Sequence, residues 1–244
     1  MKICSTICEY NPLHNGHVKH LNHISTNLQP DVTAVFLSGN FVQRGEGAIL
    51  DKYTRAVHAI KAGADIVIEL PTVFATSNAE LFAKGALKLI NSLCGEKSIC
   101  FGAESDDKQA LFEMAYSMLE ETSAFKQQLK TQLKSGKSYV SARKTALLMS
   151  NSTINANTID TPNNILAVEY IKAILQNNYP IEVEVLKRQG SGYNDTFLNG
   201  NLSSARAIRC ELDSGNRENI KNCVPDYVYE NLPLNRVNFE NQIM

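Results

Sequence analysis

His14 and His17 bracket Asn15-Gly16 immediately after the apolar run Ile3–Cys8, and residue types in this order suit the handling of phosphate. Gly16 lets a backbone come close to a ligand, and a helix beginning there offers unpaired N–H groups and the positive end of its dipole. The two imidazoles can donate to phosphate oxygens, or to charge that develops during transfer. His20 and His23 continue the series at every third residue, which invites a metal reading. Helical geometry removes it: each step of three falls about 60° short of a turn, so His14 and His23 point to roughly opposite sides. His14 and His17 can share a site; His20 and His23 read as surface or edge residues.

Further polar stretches follow later strands. Ser38-Gly39-Asn40-Phe41-Val42-Gln43-Arg44-Gly45 suits an anionic or polar ligand, or is a flexible glycine loop. Lys52 and Arg55 open the next helix, where they face the same cleft or are solvated. Phe101-Gly102-Ala103-Glu104 offers a glycine for close approach of a base or sugar, unless it is only a turn. Lys187-Arg188-Gln189-Gly190-Ser191-Gly192-Tyr193 joins a cation to a flexible loop. Ser203-Ser204-Ala205-Arg206-Ala207-Ile208-Arg209 places hydroxyls at a helix start and guanidinium groups within it, a clamp for di- or triphosphate; plain N-capping by Ser203 is the other reading. Lys126, Lys130, Lys134 and Lys137, with Arg143 and Lys144, form a basic stripe for RNA backbone or a solvated helix face.

These residues need strands ending on one edge, and the hydrophobic pattern supplies them. Buried runs at Ile3–Cys8, Asp31–Leu37, Asp65–Leu70 and Lys97–Phe101 alternate with helical patterns at 16–28, 51–62 and 79–93. Asp51 is expected to cap the second helix, and Ser77-Asn78-Ala79-Glu80 reads as a capping box opening the third. The middle carries successive helices at 107–121, 123–134 and 139–149. A polar loop over 151–164 then leads to a helix at 165–176, a fifth strand at 182–187 and a helix at 203–212. The fold class is α/β, a doubly wound parallel sheet with both faces covered, interrupted by a helical insertion at about 107–160. Ligands of such sheets sit at the carboxyl edge of the strands.

Composition narrows the partners. The chain has 244 residues, 43% of them hydrophobic and 20% charged, with a net charge of −1. No global field draws it to nucleic acid or an acidic membrane. There is no apolar leader and no run of about 20 apolar residues, so the expectation is a cytoplasmic protein with no membrane association. Cys4, Cys8, Cys94, Cys100, Cys210 and Cys223 form no C-x-x-C pair and read as reduced thiols rather than a disulfide framework or zinc site.

Taken together, Glu9–His17, Ser38–Gly45, Val67–Pro71, Phe101–Glu104, Pro162–Leu166 and Leu202–Arg209 resemble the bacterial tRNA(Met) cytidine acetate ligase family, within the HIGH-type nucleotidyltransferase superfamily. The resemblance implies a Rossmann-like core at residues 1–213. It also implies an ATP-binding stretch made of Ile7, Cys8, Glu9, Tyr10, Asn11, Pro12, Leu13, Asn15, Gly16 and His20. On the same resemblance Gly102, Asn164 and Arg188 are expected to assist it, Ser203, Ser204 and Arg209 to hold phosphate, and His14 and His17 to meet the transition state. Acetate and ATP, with Mg2+ on the triphosphate and no metal held by the protein, give acetyl-adenylate. The wobble cytidine of elongator tRNA(Met) then becomes N4-acetylcytidine. Adenylation needs positioning and charge stabilisation more than a covalent nucleophile, which agrees with the residues. Cys4 and Cys8, on the strand before the motif, are candidates to line an acetate pocket. Members of the family continue into a helical C-terminal region, so 214–244 reads as the start of an extension that this chain mostly lacks, with tRNA binding weakened or lost. Two other functions fit the same motifs: nucleotidyl transfer to a phosphate acceptor, and a nucleotide- or RNA-binding module without turnover.

Overall fold

A computed structural model describes residues 1–43, 45–105, 107–120, 122–150, 161–188 and 197–233. Five strands form one sheet in the order β3-β2-β1-β4-β5, every neighbouring pair parallel. They are β1 (Lys2–Cys8), β2 (Val32–Ser38), β3 (Ile66–Leu70), β4 (Glu96–Ala103) and β5 (Ile181–Lys187). The doubly wound parallel sheet expected from the alternating pattern is the one observed.

Helix α1 (Asn15–His23) leads into a wider π turn over Ile24–Leu28, so the helical pattern to residue 28 holds with a change of winding. Asp51 caps α2 (Lys52–Lys61), its carboxylate accepting from the Tyr53 and Thr54 amides at 2.9 and 3.0 Å. A short α3 (Thr72–Ala75) follows β3. The cap of α4 (Ala79–Asn91) is Asn78 rather than Ser77: Asn78 accepts from the Leu81 amide at 3.0 Å, while the Ser77 hydroxyl donates back to the Val73 carbonyl. The expected capping box therefore does not form, and Glu80 pairs with Lys84 at 2.9 Å.

Two apolar clusters fill the two faces. Ile3, Phe36, Ile99, Phe101 and Val183 pack on one face with α4, α5 (Lys108–Leu119) and α8 (Pro162–Asn177). Cys4, Val35, Leu37 and Cys100 pack on the other with α1, α2 and α9 (Ala205–Asp213). The strands alternate between these sides at every residue, as a pleated sheet covered twice requires.

The middle helices divide. Leu111, Met114 and Ala115 of α5 belong to the first cluster, whereas α6 (Ser123–Lys134) and α7 (Tyr139–Ser150) pair with each other over their own small core of Phe125, Ala146 and Leu147. The expected loop over 151–164 ends early, because Pro162 opens α8 and makes Asn163 and Asn164 helical. At the other end Ile220, Cys223, Val224, Val228 and Leu232 join the second cluster, together with the short α10 (Asp226–Tyr229). The boundary expected near residue 213 thus falls inside a continuous core. Residues 44, 106, 121, 151–160, 189–196 and 234–244 lie outside the described residues, and with them Arg44 of the Ser38–Gly45 loop, the end of the 107–121 helix, the Gln189–Tyr193 loop and parts of the 151–164 loop and the 214–244 segment.

Candidate active site

The cleft begins where the sheet opens. β1 pairs with β2 as far as Cys8–Leu37, but its pairing with β4 stops at Ser5–Ile99. Thr6–Cys8 with Phe101 and Gly102 therefore line a crevice at the carboxyl edge, between the two strands where the sheet order reverses. A cleft of about 230 Å3 occupies it.

His14 and His17 line it as a capping box built from imidazoles. His14 Nδ1 accepts from the Gly16 amide at 3.1 Å, and His17 Nδ1 accepts from the His14 amide at 3.2 Å. An accepting Nδ1 carries no proton, so each neutral ring holds its proton on Nε2 and has that N–H left as its donor. The rings stack with centroids 3.6 Å apart, and Tyr10 packs on His17 at 4.7 Å. Tyr10 reaches that position by adopting φ 46°, left-handed backbone that a bulky residue rarely takes. A Cβ on Gly16 would stand 2.8 Å from His14 Cε1, so the glycine serves the histidine ring as well as ligand approach.

Burial, with Arg188 nearby, lowers His14 to about 3; burial and then the His14 and Arg188 charges hold His17 far below its usual range. Burial, reinforced by His23 and Arg188, lowers His20 to about 4. These rings are uncharged donors at neutral pH. The unfolded chain protonates them near 6.5, so below that value it binds more protons than the folded chain. The histidines' contribution to stability is therefore level above pH 7 and falls as pH drops from 6.5 towards 4, by about 1.4 kcal/mol per pH unit for each histidine. Urea midpoints between pH 7 and pH 5 measure this slope; a midpoint that does not move contradicts the burial.

Cations and amides complete this face. Gly102 leaves room for Arg188, whose Cγ would lie 3.2 Å from a Cβ there. Arg206 and Arg209 line the cleft from α9, and Arg209 also donates to the Asn11 carbonyl at 2.7 Å. Ser203 and Ser204 line it too, with their hydroxyls engaged locally. Ser204 is the cap of α9, accepting from the Ala207 amide at 3.0 Å, and Ser203 donates to the Gly200 carbonyl at 3.0 Å. The cap is one residue later than expected, and it puts the first residues of α9, Ala205 and Arg206, against the cleft, where a helix start offers unpaired amides. Ile7, Cys8, Glu9, Asn11 and His20 also line it, so His20 is a wall residue rather than a surface one, its Nε2 3.2 Å from the Cys100 sulfur. Burial pushes the Cys8 and Cys100 thiols up, which leaves neither as a thiolate nucleophile.

Four expected ligand residues stand elsewhere. Pro12 and Leu13 are buried, Leu13 wholly within the second cluster. Asn15 ties α1 to the C-terminal segment, donating through Nδ2 to the Asn222 carbonyl at 2.8 Å. Asn164 Oδ1 accepts from the Glu104 and Ser105 amides at 2.9 and 3.2 Å, clamping α8 to the end of β4, and it is Asn163 that lines the cleft. Lys52 pairs with Glu69 at 2.7 Å, and Arg55 is fully buried beneath the sheet edge. The exposed Lys126, Lys130, Lys134 and Lys137 line no part of the cleft. Gln43 of the Ser38–Gly45 loop and Leu166 line it, as do Lys19, Phe82 and Tyr170, which the sequence did not single out; Lys19 follows Gly16 by three residues, a spacing that signals one helical turn.

Among the described residues no three His, Cys, Asp or Glu side chains converge to hold a metal, and none of their helices is long and apolar enough to cross a membrane. Glu9 contributes a carboxylate to the cleft, one oxygen accepting from the Gln43 amide at 3.0 Å.

A family model for HIGH nucleotidyl transferases matches residues 1–243. The tRNA(Met) cytidine acetate ligase of Kosmotoga olearia is 41% identical over 235 residues, covering 94% of this chain and 55% of that protein. The enzyme of the same name from Clostridium novyi is 39% identical over 250 residues, covering 100% and 62%. The crystal structure of Thermotoga maritima TmcAL without ligand superposes with a TM-score of 0.87 at 37% identity, covering 94% of this chain and 56% of that one. Its structure bound with alpha-thio ATP gives 0.84 at 36%, covering 94% and 55%. The chain spans about half the length of the curated relatives it matches.

Proposed function

The chain belongs to the HIGH nucleotidyl transferase family, and from that premise we propose that it is an ATP-dependent acetate ligase acting on tRNA(Met). The observation that carries the reading is the pair of neutral, Nδ1-locked histidines at the opening between β1 and β4, facing Arg188 and the N-terminus of α9. Such a site gathers donors around phosphate and offers no thiolate nucleophile. Two relatives named tRNA(Met) cytidine acetate ligase and a structural neighbour bound with alpha-thio ATP support the choice of substrates.

An acetate oxygen attacks the α-phosphorus of ATP, the bond from that phosphorus to the bridging oxygen breaks, and pyrophosphate leaves with the electron pair. Arg188, Arg209 and the α9 amides bind the phosphates. His14 and His17 donate through Nε2 to the charge that builds on them in the transition state. Mg2+ carried by the triphosphate would offset charge on the departing pyrophosphate, while no cluster of the described residues holds a metal of its own. In the second step the N4 amine of the wobble cytidine in elongator tRNA(Met) attacks the acetyl carbonyl, AMP leaves and the amine loses a proton to water. The product is N4-acetylcytidine.

Incubation of the chain with ATP, labelled acetate and elongator tRNA(Met), read by mass spectrometry of the tRNA and by pyrophosphate release, tests both steps. Acetate-dependent release with an acetylated tRNA is expected. Release only with a phosphate acceptor such as phosphopantetheine or nicotinamide mononucleotide would replace this reading with nucleotidyl transfer.

A further inference from the structure

The cleft has a second compartment with a different character. Phosphate-binding groups gather on the side of the sheet that carries α1 and α9: His14, His17, Arg188 and Arg209. Strand alternation sends Ile7 and Phe101 to the opposite side, where they meet Phe82 of α4 and Leu166 and Tyr170 of α8. These five residues line the same cleft, so it passes through the gap between β1 and β4 and ends against an apolar wall. Phe101 and Tyr170 meet at 5.3 Å with their planes tilted by 49°. Phe82, Phe101 and Tyr170 are each about 95% buried or more, which makes the end of the compartment part of the packed core.

We infer that this wall holds the methyl group of the acid and sets the length of acyl chain that the site accepts. The inference rests on the ligase reading above. In the attacking geometry an acid turns its carboxylate to the α-phosphorus and its tail away from it. The phosphates are fixed on the α1 side by the cations and helix amides, so the tail enters the gap and meets the aromatic wall on the other side. A core packed at crystal-like density yields little to an added methylene, so propionate and butyrate are excluded by the wall rather than by loss of any polar contact. Cys4 is remote from this wall, packing on the opposite face, and Cys8 points to that face as well.

ATP–pyrophosphate exchange, which runs the adenylation step backwards with labelled pyrophosphate, reads the selectivity with formate, acetate, propionate and butyrate. Leu166→Ala is the first variant, because Leu166 is only partly buried and its loss leaves the core closed. Phe82→Leu opens the wall from the α4 side. Both are expected to raise the propionate-to-acetate ratio of kcat/KM by about tenfold, the scale on which one methylene is discriminated by an apolar pocket. The KM for ATP stays where it was.

A ratio within about twofold of the unmutated chain in both folded variants, with acetate exchange retained, overturns the wall assignment alone. A rise in the KM for ATP with the acid ratio unchanged also overturns it, since the compartment then belongs to the nucleotide. Absence of acetate-dependent exchange in the unmutated chain overturns the ligase reading and this inference together.

Discussion

Replacing His17 by alanine lowers acetate-dependent pyrophosphate exchange by about 10²–10³-fold, with most of the loss in kcat, while the chain stays folded. The size follows from removing one preorganised donor of charge developing in the transition state, about 2.7–4 kcal/mol. His17 donates as a neutral ring because its Nδ1 is occupied by the His14 amide and burial excludes the protonated form. Alanine removes the Nε2–H and restores nothing in its place. The variant's stability to thermal unfolding falls by about 1–3 kcal/mol, since the His14 amide loses its side-chain acceptor and the His14 and Tyr10 rings lose a packing partner. His14→Ala adds to the same kinetic loss the cost of an N-cap, about 1 kcal/mol, because His14 caps α1 through the Gly16 amide. A His17→Ala chain retaining exchange within tenfold of the original would remove the imidazole pair from the reaction.

The difference between these histidines and their neighbours shows what the sequence could carry. Apolar runs separated by helical periods determine a parallel sheet, and each strand end then falls on one edge; Gly102, Arg188 and the Ser203–Arg209 segment meet His14 there because chain order and handed crossovers leave no other place. The H-x-x-H spacing also held the capping box, since position N3 reaches back to the cap whenever its side chain accepts, and imidazole does so as well as glutamate. Other contacts were not legible. Asn15 serves a carbonyl at Asn222, 207 residues away, and no local pattern names such a partner. Asn163 and Asn164 are equivalent as residue types; only the helix started by Pro162 determines which one faces the cleft. The apolar wall was hidden for a related reason. Phe82, Leu166 and Tyr170 have the spacing of core residues, and they are core residues that happen to end a cavity.

Arg55→Met is expected to destabilise the chain by about 3–5 kcal/mol, although arginine in the first turn of a surface helix ordinarily does little. Arg55 is fully buried in the structure. Nε donates to the Leu50 carbonyl at 3.0 Å, Nη1 to the carbonyls of Glu9 at 2.6 Å and Ser38 at 3.0 Å, and Nη2 to the carbonyl of Gly39. One guanidinium thus gathers the ends of β1 and β2 and the loop between β2 and α2. Methionine fills the volume but leaves four acceptors facing an apolar side chain, each costing about 1–3 kcal/mol unless water enters. At this chain length the loss appears as a fall in Tm of roughly 6–20 °C. Arg55→Lys should rescue only part of it, because a single ammonium cannot present the planar fork that meets four carbonyls. The damage also reaches the chemistry. Glu9 leaves the grip of Arg55 and its carboxylate no longer anchors the Gln43 amide, so the loop lining the cleft loosens and exchange activity falls in the fraction that remains folded. An Arg55→Met chain within about 1 kcal/mol of the original would show that water satisfies these carbonyls, and that the phosphate edge is held by the sheet itself.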